Sequence, residues 1–198
     1  MPQNSPSDRD VASNEVGVCR HPSTSAAVQV RNELMRRQWR LVTAESCTAG
    51  RVASTLAEIP GASQWLCGGW VVYRNDSKHR WLGIPLDLLT PPGPGPVSMA
   101  ASTALAQHAL SRTPEARVAM AVTGDIGPDA PAATDGHIFT VVAFAEQTRA
   151  SDIVLAAPPP RDQNDVAARR LRMDEATTKV IEFLAHCLRA TSPRARGQ

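Results

Sequence analysis

Apolar and polar positions recur at two periods along the chain, and the alternation between them predicts its elements. Val28, Leu34 and Met35 fall near helical spacing within Ala26–Gln38, with arginines between them, which predicts a first helix. Arg40–Ala44 is short, apolar and partly β-branched, the pattern of a buried strand. Residues 51–59 return to helical character and stop at Pro60-Gly61. Gly69–Tyr73 predicts a second strand and Asn75–Leu82 a helix capped by Asn75 or Asp76. Pro91–Pro96 forms a stiff loop, and Ser98 caps a long alanine-rich helix that runs to about Ser111.

Strands are predicted at Arg117–Thr123, His137–Ala145 and Asp152–Ala156, and a final helix over about Asn164–Leu188. Val166, Leu171, Val180, Ile181, Leu184 and Leu188 are expected on the inner face of that helix. Helices and strands alternate through the first two thirds, which predicts a layered α/β domain. Two adjacent strands near the end form an antiparallel pair, so the sheet is expected to be mixed. The ordered domain is placed at 26–190, with disordered tails at 1–25 and 191–198.

Composition narrows the function. Of 198 residues, 42% are hydrophobic and 20% charged, the balance of a globular protein with a core rather than a disordered chain. Lys+Arg total 21 and Asp+Glu 19, a near-neutral balance that argues against nucleic-acid binding. No apolar run reaches the length of a bilayer span, so no membrane partner is expected. The N-terminus lacks the apolar core of a signal peptide, which predicts a cytoplasmic location. Cys19, Cys47, Cys67 and Cys187 form no CxxC pair, so neither a zinc site nor any other metal is expected. The basic residues are almost all arginine: only Lys78 and Lys179 are lysine, and Tyr73 is the single tyrosine.

Ligands of open α/β sheets bind beyond the carboxyl ends of the strands. Three predicted strands end there in small polar turns: Thr43–Gly50, Tyr73–Lys78 and Thr123–Pro128. Ser46, between strand and helix, is either a helix cap or a nucleophile served by the free N–H groups of the turn. Cys47 is a rival nucleophile or a small buried side chain. A serine nucleophile needs a base. The histidines 79 and 137 sit in no Ser-His-Asp pattern, whereas Lys78 lies five residues from Tyr73, and burial can bring a lysine amine toward neutrality. Arginine stays protonated and cannot take that role. Tyr73 is then a proton relay or donor, or else a strand-end anchor, and Asn75 an orienting group or a cap. Thr123-Gly124-x-x-Gly127 is a turn of the kind that forms anion-binding nests.

Taken in order, these turns resemble the CinA C-terminal domain family, the nicotinamide-nucleotide amidohydrolases. The resemblance rests on Thr43-Ala44-Glu45-Ser46-Cys47-Thr48, Gly61-Ala62-Ser63, Tyr73-x-Asn75-x-x-Lys78 with Leu82-Gly83, Gly95-Pro96-Val97-Ser98, and Ala121-Val122-Thr123-Gly124-x-x-Gly127-Pro128. It implies a three-layer α/β/α sandwich with a mostly parallel, mixed central sheet. It also implies hydrolysis of the carboxamide of nicotinamide mononucleotide to nicotinate mononucleotide and ammonia. Ser46 would be nucleophile, Lys78 general base and Tyr73 a supporting catalytic residue. Cys47, Thr48, Gly50, Asn75, Thr123, Gly124 and Gly127 are expected to contact a small nucleotide substrate. No cofactor is implied, and a homodimer is.

The chain departs from the family pattern after Pro128. A Gly pair, a Ser and a Lys are replaced within Asp129–Asp135, while Gly136 is retained. That change motivates the alternative of an altered or inactive relative that serves as a nucleotide- or partner-binding module. Arg161-Asp162 and Val166 with Arg169 or Arg170 resemble, in blurred form, the family's C-terminal Asp-Arg-x-x-Val-Arg pattern.

Overall fold

The computed structural model describes residues 22–191. Of the expected tails at 1–25 and 191–198, residues 1–21 and 192–198, with Cys19 and His21, lie outside the described residues. The first helix, α1 (Pro22–Arg37), begins four residues before the expected boundary at Ala26. It is followed by β1 (Leu41–Glu45), α2 (Arg51–Ala57), β2 (Leu66–Val71), α3 (Asn75–Leu82), α4 (Leu86–Leu89) and α5 (Met99–Ser111). Strands β3 (Val118–Gly124), β4 (His137–Phe144) and β5 (Thr148–Val154) precede the long helix α6 (Val166–Ala190). Among the described residues no helix is long and apolar enough to cross a membrane.

The five strands form one mixed sheet in the order β2-β1-β3-β4-β5. β1 runs parallel to β2 and β3, while β4 is antiparallel to both β3 and β5. Four strands therefore point one way and β4 alone is reversed. The period-2 geometry of strands sorts their side chains between two cores. Leu41, Val118, Met120, Val122, Ile138 and Val142 meet α1, α2 and α6 on one face. Val42, Ala44, Ala119, Ala121, Val141 and Ala143 meet the alanine-rich α5 and Leu82, Ile84 and Leu89 on the other. Small residues on both partners bring α5 close to the sheet, and Ser98 caps it by accepting from Ala101 N (3.1 Å).

Several expectations shift. β2 begins at Leu66 rather than Gly69, because Leu41 N already pairs with Trp65 O (2.8 Å), and Tyr73 falls beyond the strand. β5 covers 148–154 rather than 152–156, since a tight turn closed by Phe144 N to Gln147 O (2.8 Å) lets Thr148 pair at once with Ala143. Its alternating exposure suits an edge strand, and its polar residues Thr148, Arg149, Ser151 and Asp152 hide it from an apolar-run reading. The residue at the cap of α3 is Arg74, with no side-chain cap bond, so neither Asn75 nor Asp76 caps it. In α1 the buried face is Ala26, Ala27, Val30 and Leu34, while Met35 is exposed. In α6, Val180, Ile181, Leu184 and Leu188 are buried as expected, but Val166 and Leu171 are exposed. The first turns of α6 are held by arginines instead.

Arg172 is that helix's main anchor. It is buried, and its guanidinium grips both carboxylate oxygens of Asp135 and donates through Nε to Ala157 O (3.1 Å). The loop between β3 and β4 is thereby pinned to α6. A planar fork suits this bidentate contact in a way an ammonium does not.

Leu184 of α6 is wholly buried in the core that α6 shares with α1 and the sheet. Leu184→Ala is expected to cost about 2–5 kcal/mol in urea unfolding, and a loss under 1 kcal/mol would contradict this packing. The hydrogen bond from Arg172 holds the Asp135 carboxyl below the ordinary carboxylate range. A lowered carboxyl stabilises the fold above its unfolded pKa, and the contribution disappears as pH falls through the folded value. Asp135→Asn is thus expected to be less stable than the parent at neutral pH, by about 2 kcal/mol, with the gap closing in acid. A gap independent of pH would refute that assignment.

Candidate active site

β1 ends at a carboxylate withdrawn from water. Leu41, Thr43 and Glu45 project to the α2 side of the sheet, and Glu45 is wholly buried. Its Oε2 accepts from Thr48 Oγ1 (2.7 Å), Gly50 N (3.0 Å) and Val52 N (3.1 Å), and its Oε1 from Ala53 N (2.8 Å) and Thr43 Oγ1 (3.3 Å). The first N–H groups of a helix lack partners within it. Glu45 takes three of those at the start of α2. It sits where the helix dipole favours negative charge.

This arrangement reassigns two expected substrate contacts. Thr48 is buried and spends its hydroxyl on Glu45. Gly50, at φ 91°, gives its N–H to the same carboxylate and occupies a left-handed conformation suited to glycine. Neither lines the cavity described next, and the N-terminus of α2 is filled by Glu45. Ala49 N and Arg51 N bond to Ser46 O and Thr48 O (both 3.1 Å). Among the described residues, the amides of Cys47 and Thr48 are the ones in this turn left without such bonds.

Beyond the carboxyl ends of β1, β2 and β3 lies a cavity of about 280 Å³. Ser46, Cys47, Tyr73, Asn75, Lys78, Thr123, Gly124 and Gly127 all line it, so eight of the ten expected residues share one space. Pro96, Val97, Asp125, Asp129 and Arg169 complete much of the wall. Ser46 N is tied to Val122 O (3.0 Å), which fixes the serine where the central strands end.

Lys78 comes from the first turn of α3 and is buried, 2% exposed. Its Nζ donates to Tyr73 O (3.4 Å). Burial pulls its pKa below the ordinary lysine range, opposed in part by the Cys47 sulfur. Among the described residues no hydrogen bond joins Lys78 Nζ to the Ser46 hydroxyl. Cys47, also buried, has its thiol pushed up to about 12 by loss of solvation. It therefore stays protonated at neutral pH, against the expectation of a rival nucleophile.

The remaining wall residues hold the loops. Thr123 Oγ1 donates to Pro96 O (2.7 Å), and Asn75 Nδ2 to Leu89 O (3.3 Å). Gly124 allows β4 to approach, since a methyl group there would lie 2.6 Å from Ile138 Cγ2. Tyr73 is half exposed, and its hydroxyl accepts from Arg169, which also donates to Gly127 O. Arg169 thus fastens α6 to two of the three turns, while its neighbour Arg170 is exposed. None of the described histidines lines the cavity: His79 and His108 bond to Ile84 O and Leu82 O (both 2.8 Å), and His137 pairs with Asp152 (3.2 Å). Sequence reasoning misses the role of Glu45, although its odd position on a buried strand places it on the α2 side.

The chain matches the CinA C-terminal domain model over residues 23–181. It is 38% identical over 108 residues to the nicotinamide-nucleotide amidohydrolase PncC of Pseudomonas putida, covering 54% of this chain and 66% of that protein. It is 37% identical over 150 residues to a CinA-like protein of Mycolicibacterium gilvum, covering 75% of this chain and 33% of the relative. The chain spans 22% and 29% of the length of two further relatives, from Symbiobacterium thermophilum and Desulforudis audaxviator. The fold is that of the competence damage-inducible protein A (ComA) from Klebsiella pneumoniae, with a TM-score of 0.75 at 23% identity over 86% of this chain and 99% of that one. With its sheet, its three converging turns and the matched stretch all in agreement, the chain belongs to the CinA C-terminal domain family.

Proposed function

We propose that the protein is an amidohydrolase that converts the carboxamide of nicotinamide mononucleotide to the carboxylate, releasing ammonia through a Ser46–Lys78 mechanism. The observation that carries this reading is a buried lysine, with its pKa drawn down by burial, lining the same cavity as Ser46. The kinship with a nicotinamide-nucleotide amidohydrolase at 38% identity supports the substrate class.

In this mechanism the Ser46 hydroxyl attacks the carboxamide carbon and passes its proton to neutral Lys78 Nζ. The amide of Cys47, which lines the cavity, is the donor available to the developing oxyanion. Collapse of the tetrahedral adduct breaks the C–N bond as Lys78 returns the proton to the leaving nitrogen, and ammonia departs. Water, deprotonated by the same amine, then hydrolyses the ester and restores Ser46. Tyr73, fixed by Arg169, supplies the carbonyl that holds Lys78.

Ammonia release from purified protein supplied with nicotinamide mononucleotide tests the reading directly. Ser46→Ala is expected to lower kcat by about a thousandfold or more. Lys78→Arg should be as damaging, because arginine holds its proton. Full activity in either variant would end the mechanism. The rate is expected to rise with pH as Lys78 deprotonates, with a midpoint below that of free lysine. A rate that falls over that limb would exclude Lys78 as base. Nucleotide binding without any ammonia would favour the non-catalytic alternative, for which the altered loop at 129–135 is the motive.

A further inference from the structure

The loop after β3 brings two carboxylates, Asp125 and Asp129, into the lining of the cavity that contains Ser46. Their partners are neutral. Thr134 Oγ1 donates to Asp125 Oδ2 (2.6 Å), and Gln163 Nε2 donates to Asp129 Oδ2. Among the described residues neither acid forms a salt bridge, in contrast to Asp135 on the same loop, which Arg172 neutralises. The cations of the same wall are Lys78 and Arg169. Lys78 is buried with Nζ on the Tyr73 carbonyl, and the Arg169 guanidinium is engaged by Gly127 O and the Tyr73 hydroxyl. The two carboxylates of the β3–β4 loop thus outnumber the one cation of the wall that cannot lose its proton, Arg169, and the loop presents added negative charge to whatever enters.

We infer that Asp125 and Asp129 set the specificity of the Ser46 cavity toward a pyridine carboxamide whose ring nitrogen is glycosylated, and hence cationic, over its uncharged counterpart. The inference rests on the amidohydrolase reading for placing a carboxamide at Ser46. N-glycosylation gives the ring a full positive charge, which a carboxylate on the cavity wall attracts and a neutral amide does not share. Among the described residues Oδ1 of each acid accepts no hydrogen bond, which leaves it for a sugar hydroxyl, the way carboxylates read ribose elsewhere.

The test is equilibrium binding to the full chain carrying Ser46→Ala, which stops turnover. The two ligands are nicotinamide riboside, with a cationic ring, and dihydronicotinamide riboside, which has the same sugar and a neutral ring. The cation is expected to bind about tenfold or more tightly, with the preference narrowing as salt is raised. Adding Asp125→Asn, which keeps an acceptor for Thr134, should cut that preference several-fold. Adding Asp129→Asn as well should abolish it. Asp129 has φ 53°, a conformation that asparagine tolerates, so Asp129→Asn alone serves if the Asp125 variant fails to fold. Equal affinities in the parent, a preference that survives both substitutions, or no binding of either ligand would overturn the inference. Asp-dependent preference for the cation, together with no ammonia release from the unsubstituted chain, would sustain this inference and sink the amidohydrolase reading.

Discussion

The burial of Glu45 is the constraint on which the site depends. A carboxylate removed from water is costly unless hydrogen bonds and favourable dipoles replace its solvation. Here three backbone N–H groups and two hydroxyls do so, and all of them belong to β1, to the turn after it or to the first turn of α2. The strand and helix are thus joined through one side chain. The turn between them has little freedom, and Ser46 is the residue next to the joint. A shorter acid would not span from the sheet to the helix amides. Arginine or lysine there would meet the positive end of α2.

The opposite wall is organised by arginines of α6. Arg172 neutralises Asp135 beneath the loop, and Arg169 reaches over to Tyr73 and Gly127. Both contacts use a guanidinium's several donors at once, which explains why a chain with two lysines employs arginine at these points. The lysine it keeps in the cavity is the one basic side chain there that can lose its proton. The two residue types divide the work: arginine holds the loops, and in the proposed mechanism lysine is left for proton transfer.

Much of this is legible in the sequence, and the omissions have physical causes. Strand ends and small polar turns mark where backbone stops pairing, so residue order alone suffices to place Ser46, Lys78 and the Thr123–Gly127 turn near one another. Thr48 and Gly50 escape such reasoning because a pattern shows which turn a residue occupies but not which neighbour claims its donor. Val166 and Leu171 point inward on periodicity alone. Ion pairs replace apolar burial where α6 runs past the sheet, and hydrophobic spacing is blind to that exchange. The edge strand β5 is hidden for a related reason, since Thr148, Arg149, Ser151 and Asp152 interrupt any apolar run along it.

The reversal of β4 has a further consequence. β1–β2 and β2–β3 are joined by helical crossovers, whose lengths and packing are bound to the layers. β3 and β4 are antiparallel, so the segment linking them is a loop that turns back at the end of the sheet nearest the cavity. Residues 129–134 there can be exchanged without repacking a helix or shifting a strand's register, provided Ile126 keeps its place in the core and Asp135 still meets Arg172. The architecture separates the part of the pocket that must stay put from the part free to drift, and places the departures of this chain in the latter. Divergence of ligand preference within such a scaffold needs a rewritten loop rather than a remodelled fold.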